Sequence, residues 1–253
     1  IRTATSKDFL HWENQADLAY TDPVAEHLYT SQVKPYHRAP HLLIGFPTRY
    51  VERPWSESMR ELPERAHREW RSQASERYGT AITEGLFMSS RDGTRFKRWG
   101  EAFLPPGPER EGTWNYGQQY IAWHPVETKS ALPGAPNELS FYATENYWTG
   151  TSSALRRYTL RLDGFASVHA PMNGGEMITK PFSFTGSRLT VNFASSAAGG
   201  IQVEIQDASG NPLPGLPSRS SRRGSMPAIP SWCSIRGARI DGSPPWSRAM
   251  SPP

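Results

Sequence analysis

The sequence predicts an all-β fold built from repeated units of short strands, and two observations predict it. The phrase Ser-x-Asp-x-x-x-aromatic occurs at Ser6–Trp12 and again at Ser90–Phe96, each time beside residues suited to strands. Its Ser and Asp side chains can accept hydrogen bonds from backbone N–H groups and close a tight turn, and the aromatic residue is then predicted to lie in the space between sheets. Aromatic residues make up 11% of the chain, with 21 glycines and 23 prolines, a mix typical of many short strands joined by turns. A repeated strand unit indicates the blades of a β-propeller, although two unrelated hairpins would give the same phrase.

The first half of the chain is predicted to consist mainly of strands. Within residues 1–50, His41–Phe46 is a short apolar run between two prolines, which suits a buried strand. Residues 55–78 differ because charged side chains crowd them, and Ser56 stands where it can cap a helix. We expect a polar, partly helical insertion on the surface there, since its apolar stripe is too thin for a core helix. Strands resume at Ala81–Ser89.

Three further strands are predicted before residue 165. Tyr116–Trp123 and Leu139–Thr144 are rich in aromatic and apolar residues and are separated by turn-forming residues. Leu155–Leu162 alternates with period two and ends at the turn signal Asp163-Gly164.

The character of the sequence changes near residue 165, where aromatic residues become fewer. Plain alternation marks strands at Phe182–Phe184, Leu189–Phe193 and Ile201–Ile205. We therefore predict two β domains, an incomplete propeller over 1–165 and a truncated β-sandwich over 166–215.

The last part of the chain, 216–253, is rich in Ser, Pro, Arg and Gly and shows no strand or helix period. One interpretation is a disordered basic tail. Another is that a shifted reading frame in GC-rich coding produced this composition, because a sandwich that stops early would expose an unpaired edge.

Charge and composition exclude several classes of protein. The net charge is +4, and 216–253 carries six Arg and one Asp, so residues 1–215 are nearly neutral. A nucleic-acid binder concentrates Lys and Arg on its folded surface, so we predict no nucleic-acid partner. No apolar stretch is long enough to span a bilayer, and the single Cys233 excludes an internal disulfide. The chain begins at Ile1 without an initiator Met, so we expect a cut N-terminus and infer no compartment from it.

One cluster of candidate functional residues lies near the N-terminal end. It contains Glu26, His27, Tyr29, Tyr36, His37, Arg38 and His41. Glycosidase chemistry needs two carboxyl groups facing a sugar, with neighbours that separate their pKa values. Glu26 is a candidate for one of them, with His27 or Arg38 tuning it, while the alternative is a structural ion pair between Glu26 and Arg38. The spacing of the three histidines matches no strong zinc pattern, so we predict neither a metal nor another cofactor.

A second cluster combines aromatic residues with a carboxylate. Trp114, Tyr116 and Tyr147 offer flat faces that can stack on sugar rings. Glu145 follows an apolar strand and is the best general-acid candidate, because propellers keep their sites near strand ends. The alternative is that these aromatic side chains only fill the gaps between blades.

The phrase Ser6–Glu13 resembles the Ser-x-Asp-[Leu/Phe]-x-His-Trp-Glu turn of five-bladed propeller glycosidases. In its overall sequence pattern the chain is similar to glycoside hydrolase family 32 and its relatives in families 43, 68 and 130. Glu26–Thr30, Tyr36–His41 and Leu155–Phe165 extend the resemblance, over residues 3–215, to uncharacterised bacterial proteins that look like distant members of this group. The resemblance implies a five-bladed propeller followed by a β-sandwich, in a chain that starts after the first blade.

The resemblance also implies hydrolysis of glycosidic bonds in oligo- or polysaccharides. Such enzymes use an Asp nucleophile in the first blade, the Asp of an Arg-Asp-Pro motif and a Glu acid/base. Ala39 stands in place of that second Asp in Arg38-Ala39-Pro40, and a methyl group cannot hydrogen-bond sugar hydroxyls. Glu145 or Glu26 would supply the acid, with its partner upstream. A non-catalytic sugar-binding propeller, which Ala39 favours, and a structural interaction propeller are the alternatives. Only the resemblance favours an extracellular or periplasmic location.

Overall fold

The computed structural model of the protein describes residues 1–21, 25–117, 119–149, 153–171, 173–183, 191–194, 200–213, 219–220 and 232–236. These ranges contain 17 strands and three short helices, which confirms the predicted all-β class. The chain divides into two compact units, Ile1–Phe165 and Ala166–Pro253.

The first unit contains thirteen described strands and three described helices. The strands are β1 Arg2–Ser6, β2 Trp12–Asp17, β3 Ala19–Tyr20, β4 His27–Tyr29, β5 Lys34–Tyr36, β6 Ala39–Gly45, β7 Thr48–Val51, β8 Ile82–Gly85, β9 Met88–Ser90, β10 Arg95–Arg98, β11 Val126–Thr128, β12 Glu138–Glu145 and β13 Ala154–Arg161. The helices are α1 Glu57–Arg60, α2 Arg65–Ser72 and α3 Arg77–Thr80. The strands form four open sheets with the orders β1-β2, β3-β10-β9-β6-β5, β4-β7-β8 and β11-β12-β13. Only β3 and β10 pair in parallel among these described strands.

The first Ser-x-Asp phrase forms the predicted turn between β1 and β2. Ser6 Oγ accepts the backbone N–H groups of Asp8 and Phe9 at 3.3 and 2.8 Å. Asp8 Oδ1 accepts those of Leu10 and His11 at 2.9 and 2.8 Å. Two side chains thus satisfy four backbone donors of the loop, which is the mechanism that the sequence predicts.

The second phrase repeats this turn between β9 and β10. Ser90 Oγ accepts the backbone N–H groups of Asp92 and Gly93 at 3.2 and 3.0 Å. Asp92 Oδ1 accepts those of Thr94 and Arg95 at 2.9 and 2.7 Å. Gly93 has a φ of +79°, a left-handed conformation that glycine adopts without strain. The repeated phrase therefore specifies the same local structure twice.

The aromatic residue that ends each phrase is buried in one copy and half exposed in the other. Phe96 is buried, as predicted for a ring that lies between sheets. Trp12 is half exposed and packs edge-on against Phe9, with 5.7 Å between the ring centroids. The prediction is wrong for Trp12 because the described part of the chain pairs no third strand with the β1-β2 hairpin.

The Asp92 turn has a predictable pH dependence. Hydrogen bonds from the backbone N–H groups of Arg95 and Thr94 lower the pKa of Asp92 from 3.8 to about 2. A carboxyl group whose pKa is lower in the folded state stabilises the fold above its unfolded pKa, and this stabilisation is lost as the pH falls through the folded value. We expect the difference in unfolding free energy between the wild type and Asp92→Asn to shrink between pH 3.8 and about pH 2. Urea denaturation across this range measures it, and a difference that does not change with pH would contradict the prediction.

Two pairs of strands form a corner between sheets. A bend separates β6 from β7, and a second bend separates β8 from β9. β6 pairs with β9 in the five-stranded sheet, whereas β7 pairs with β8 in a three-stranded sheet. The bends are joined directly, because the backbone N–H of Leu86 donates to the carbonyl oxygen of Pro47 at 2.8 Å. Strands that pass from one sheet to another at a bend make such a corner.

An aromatic core fills this corner. Phe46 lies in the first bend and Phe87 in the second, and both are buried. The ring centroid of Phe46 lies 5.3 Å from that of Phe141 and 5.6 Å from that of Phe103. Phe165 stacks on Phe87 at 5.1 Å. Aromatic pairs at these distances stabilise a core beyond the effect of the area they bury.

The predicted helical insertion is present but differs from its prediction in burial. Ser56 caps α1 as expected, because its Oγ accepts the backbone N–H of Met59 at 3.2 Å. Arg68 and Arg71 of α2 are buried, so the expectation of a solvated surface segment is wrong at these residues. Their guanidinium groups donate to oxygens of neighbouring segments instead of water. None of the described helices has the length and hydropathy needed to cross a membrane.

The predicted strand at Tyr116–Trp123 is replaced by an irregular segment. Its described residues keep one isolated bridge, between Ile121 and Ala143. Gly117 and Gln119 have φ values of +51° and +64°, and such left-handed residues interrupt an extended strand.

The strands predicted at Leu139–Thr144 and Leu155–Leu162 are confirmed as β12 and β13. They pair along eight residues and form the longest hairpin of the described structure. Glu145 stands at the end of β12, opposite Ala154. The hairpin therefore places this candidate acid at a strand end, as predicted.

The second unit contains four described strands in one sheet. They are β14 Phe182–Ser183, β15 Gln202–Gln206, β16 Arg219–Ser220 and β17 Trp232–Arg236, in the order β14-β17-β15-β16. Ile201, Val203 and Ile205 are buried, in agreement with the alternation in the sequence.

Other predictions for the second unit are covered only in part. The strand predicted at Leu189–Phe193 lies partly outside the described residues, and its described part, 191–193, is not a strand. The tail predicted over 216–253 also lies mostly outside them, and β16 and β17 are the described parts of it.

Candidate functional site

An open cavity of about 620 Å³ lies beside helices α2 and α3. It is lined by His67, Trp70, Arg71, Gln73, Ala74, Tyr78 and Trp148. Three of these residues carry large aromatic rings and one is a buried cation. The volume is typical of a small-molecule site, and the lining suits a ligand with flat apolar faces.

Helical spacing explains why α2 contributes most of the cavity wall. His67, Trp70 and Arg71 follow the i, i+3, i+4 pattern and so share one face of the helix. Tyr78 joins them from α3, because the two helices approach closely at Gly79. A Cβ added to Gly79 would lie only 2.4 Å from a carbonyl oxygen of α2, so this approach requires glycine.

Trp148 completes the cavity from the loop after β12. Its φ of +62° and that of Asn146, +55°, are left-handed, which costs a non-glycine residue about 1–2 kcal/mol. His67 Nε2 donates to the carbonyl oxygen of Trp148 at 3.1 Å, and Arg71 Nη1 does so at 3.5 Å. Contacts with α2 therefore hold this strained loop in place.

The rings beside the cavity form one aromatic cluster. Trp148 stacks on Tyr147 with 5.3 Å between centroids and an angle of 20°. Tyr116 and Tyr78 each lie 5.4 Å from Trp148. Tyr116 and Tyr147 are two of the predicted sugar-binding residues, and the structure brings them together next to the cavity. Their tight packing leaves Trp148 and Trp70 as the more exposed rings.

Arg71 is the charged member of the cavity wall and is only 6% exposed. Its guanidinium carbon lies 3.8 Å from the ring centroid of Trp148 and 5.1 Å from that of Tyr116, so two aromatic faces attract its charge. Its Nη1 donates to Asn115 Oδ1 at 3.1 Å. Burial lowers the pKa of Arg71 to about 10, which still leaves the group charged at neutral pH.

Asn115 holds the guanidinium group of Arg71 in place. It is almost completely buried, and its Nδ2 donates to Glu64 Oε2 at 2.8 Å. Glu64 precedes α2 and also accepts the backbone N–H of Gly112 at 3.0 Å. The amide of Asn115 thus links the start of α2 with the guanidinium near its end.

Glu26, one of the two predicted catalytic residues, lies in an ion-pair network. Its Oε1 lies 2.7 Å from Arg49 Nη1 and its Oε2 lies 2.8 Å from Arg98 Nη1. Arg49 also pairs with Glu84 at 2.6 Å. Both oxygens of Glu26 are therefore in use. The alternative prediction of an ion pair between Glu26 and Arg38 is wrong, because β7 and β10 supply closer guanidinium groups.

Arg38 belongs to a different network, together with Tyr36. Arg38 Nε donates to Asp163 Oδ1 at 3.0 Å, and Nη1 donates to Glu127 at 3.3 Å. Tyr36 is buried and its hydroxyl donates to Asp163 at 2.6 Å, so it offers no face to a sugar. Burial raises the pKa of the Tyr36 hydroxyl. Ala39 packs against the aromatic core.

Glu145, the other predicted catalytic residue, is half-buried beside β13. The hydroxyl of Tyr158 donates to its Oε1, and Arg156 Nε donates to its Oε2, both at 2.5 Å. Gln119 Nε2 donates to the same hydroxyl at 3.1 Å. Burial, followed by the hydrogen bond to Glu145, raises the pKa of Tyr158 to about 12.

The remaining predicted binding residues lie apart from the cavity lining. Trp114 is 3% exposed and has no free face for stacking. His27 and Tyr29 of β4 are exposed, with His27 stacked on Tyr50 at 6.4 Å. His41 is exposed at the start of β6. Of the ten predicted site residues, only Tyr116 and Tyr147 contact the cluster around Trp148.

The α2 wall is the part of the site that sequence analysis missed. The helical spacing of His67, Trp70 and Arg71 is visible in the sequence, but the charged residues between them indicated a solvated surface. No group of three or more His, Cys, Asp or Glu side chains arranged for a metal ion occurs in the part of the chain that the structure describes.

Comparison of this chain with protein-family models, with curated proteins and with solved structures finds no match.

Proposed function

We propose that the protein binds carbohydrate in the cavity formed by α2, α3 and the loop after β12. The observation that carries this proposal is that Trp70, Tyr78 and Trp148 line one cavity, with two of the rings open to solvent. Flat aromatic faces stack on the apolar faces of sugar rings. His67 and Gln73 line the same cavity and can hydrogen-bond hydroxyl groups. Stacking faces beside polar side chains are the chemistry that sugar recognition needs.

The contacts favour a protein that binds sugar without hydrolysing it. Glu26 uses both of its oxygens in ion pairs, and Ala39 has a methyl group where the glycosidases that the sequence resembles need a carboxylate. Hydrolysis of glycosidic bonds is the second candidate, and the position of Glu145 favours it. Glu145 ends β12 three residues before Trp148, which lines the cavity.

We also propose that the sheets of the first unit are blades of an incomplete five-bladed propeller and that the second unit is part of a β-sandwich. The same Ser-x-Asp turn closes two hairpins in different sheets, which supports a repeated structural unit. An interaction propeller that binds no sugar is the competing interpretation.

Substitution of an exposed cavity ring tests the binding proposal. We expect Trp70→Ala to weaken glycan binding about tenfold, because it removes a stacking face without opening the core. Polysaccharide depletion followed by isothermal titration calorimetry measures the change. Trp123→Ala is the matched control, since Trp123 is a similarly exposed tryptophan, 63% against 65%, that does not line the cavity.

The outcomes of this experiment separate the three interpretations. Equal loss of affinity in both tryptophan variants would contradict the assignment of the cavity. Release of reducing ends by the wild type but not by Glu145→Gln would establish the hydrolytic candidate. Absence of binding to every glycan in the panel would leave the interaction propeller.

A further inference from the structure

Arg71 differs from other buried and partly buried arginines in how its charge is compensated. Arg49, Arg53, Arg68 and Arg98 each pair with a glutamate at 2.6 to 3.2 Å. Among the described residues, no carboxylate lies within the 4.0 Å of an ion pair from Arg71. Burying a cation without a nearby anion costs free energy, so the burial of Arg71 needs an explanation.

The guanidinium of Arg71 also has an unused donor. Nη1 donates to Asn115 and to the carbonyl oxygen of Trp148, whereas Nη2 is buried and has no acceptor among the described residues. A carboxylate matches such a donor in geometry and in charge. This donor belongs to a side chain that lines the cavity and is held in place by Asn115.

We propose that Arg71 binds the carboxylate of an acidic sugar whose ring stacks in the cavity. The inference rests on the proposed function and specifies its ligand as a uronic or other carboxylated sugar. Nη2 is covered in the free protein, so the ligand must displace a neighbouring ring. Trp148 is the proposed ring, because its centroid lies 3.8 Å from the guanidinium carbon and the residue is 44% exposed.

The direction of the pKa shift agrees with this assignment. Burial lowers the pKa of Arg71, which means that the folded protein disfavours its charge. A bound carboxylate would supply the missing opposite charge and relieve this penalty. The acidic ligand is therefore expected to bind more tightly than an uncharged ligand of the same shape.

A comparison of ligands on the wild-type protein tests the inference without any substitution. The probes are oligomers of galacturonate, of mannuronate and of glucuronate, and sialyllactose, each beside its methyl ester. We expect at least one acid to bind about 10- to 100-fold more tightly than its ester, with a change in tryptophan emission on binding. Equal affinity for acid and ester throughout the panel would overturn the inference.

Two matched variants test whether Arg71 is the residue that causes the preference for the acid. Arg71→Gln is expected to remove the preference for the acid, so that acid and ester bind with equal affinity. Arg77→Gln removes the same charge from an exposed position next to Tyr78 and is expected to keep the preference. Loss of the preference in both variants would indicate general electrostatic attraction and overturn the role of Arg71.

Failure of this inference is distinguishable from failure of the proposed function. If acid and ester bind equally and Trp70→Ala weakens both, the inference about Arg71 fails and the sugar-binding cavity stands. If no glycan of either kind binds, both fail together.

Discussion

Replacement of Arg68 by methionine is expected to lower the free energy of unfolding by about 3–5 kcal/mol, since it breaks a buried charged network. Arg68 is 1% exposed. Its Nε donates to the carbonyl oxygen of Pro63 at 2.9 Å, and its Nη1 donates to those of Gly79 and Asn115 at 3.1 Å. Its Nη2 lies 3.2 Å from Glu109. Methionine replaces the apolar stem but removes the donor from the three carbonyl oxygens, while Glu109 keeps its ion pair with Arg53. Urea denaturation followed by circular dichroism measures the loss.

Arg65→Met is the control for this substitution. Arg65 lies on the same helix but is exposed, and it forms only a surface ion pair with Glu69 at 2.9 Å. Such pairs contribute little to stability, so its unfolding midpoint should stay close to that of the wild type. If the Arg68 and Arg65 variants were equally stable, Arg68 would not join α2, α3 and the 114–115 segment as its hydrogen bonds indicate.

The Ser-x-Asp turns show which part of this fold the sequence predicts well. Ser6 and Asp8 bond only to residues within the next few positions, and Ser90 and Asp92 do the same. All the partners are contained in the phrase itself, so a short pattern is enough to predict the turn. The exposure of Trp12 could not be predicted in this way, because its burial would require a strand from another part of the chain to pack beside the hairpin.

The helical insertion shows why the rest was harder to predict. A run of charged residues is usually solvated, and the sequence of α2 contains no sign that two arginines turn inwards. The partners of Arg68 are mainly backbone carbonyl oxygens, which every residue carries. Because such partners leave no trace in residue types, composition cannot separate a buried Arg68 from an exposed Arg65.

The candidate site could be predicted only in part, because some of its contacts depend on residues that are far apart in the sequence. Tyr116 and Tyr147 were selected because flat aromatic residues beside a carboxylate are a recognisable pattern, and the structure places both in the cluster around Trp148. The pairing of Glu26 with Arg49 and Arg98 depends on strands separated by more than twenty residues, and the sequence offered the nearer Arg38 instead. Proximity in sequence suggested a single site, whereas the structure distributes these residues over separate networks.

Replacement of Phe46 by alanine is expected to destabilise the first unit by about 3–5 kcal/mol, the cost of removing a buried phenylalanine ring. Phe46 is 0% exposed and lies in the bend between β6 and β7. Its ring contacts those of Phe87, Phe103 and Phe141 at 5.8, 5.6 and 5.3 Å. Loss of the ring leaves a cavity at the point where two sheets are joined, and a fixed corner cannot close it fully. Thermal and urea unfolding both measure the change.

Phe9→Ala is the matched control, because it removes the same side chain from a turn where it is 81% exposed. Its free energy of unfolding should remain close to that of the wild type, since little apolar area is lost from the interior. A small effect of Phe46→Ala, similar to that of Phe9→Ala, would mean that the corner does not depend on this ring. A large effect confined to Phe46 would show that the bends between the sheets are held by their aromatic packing as well as by the bond between Leu86 and Pro47.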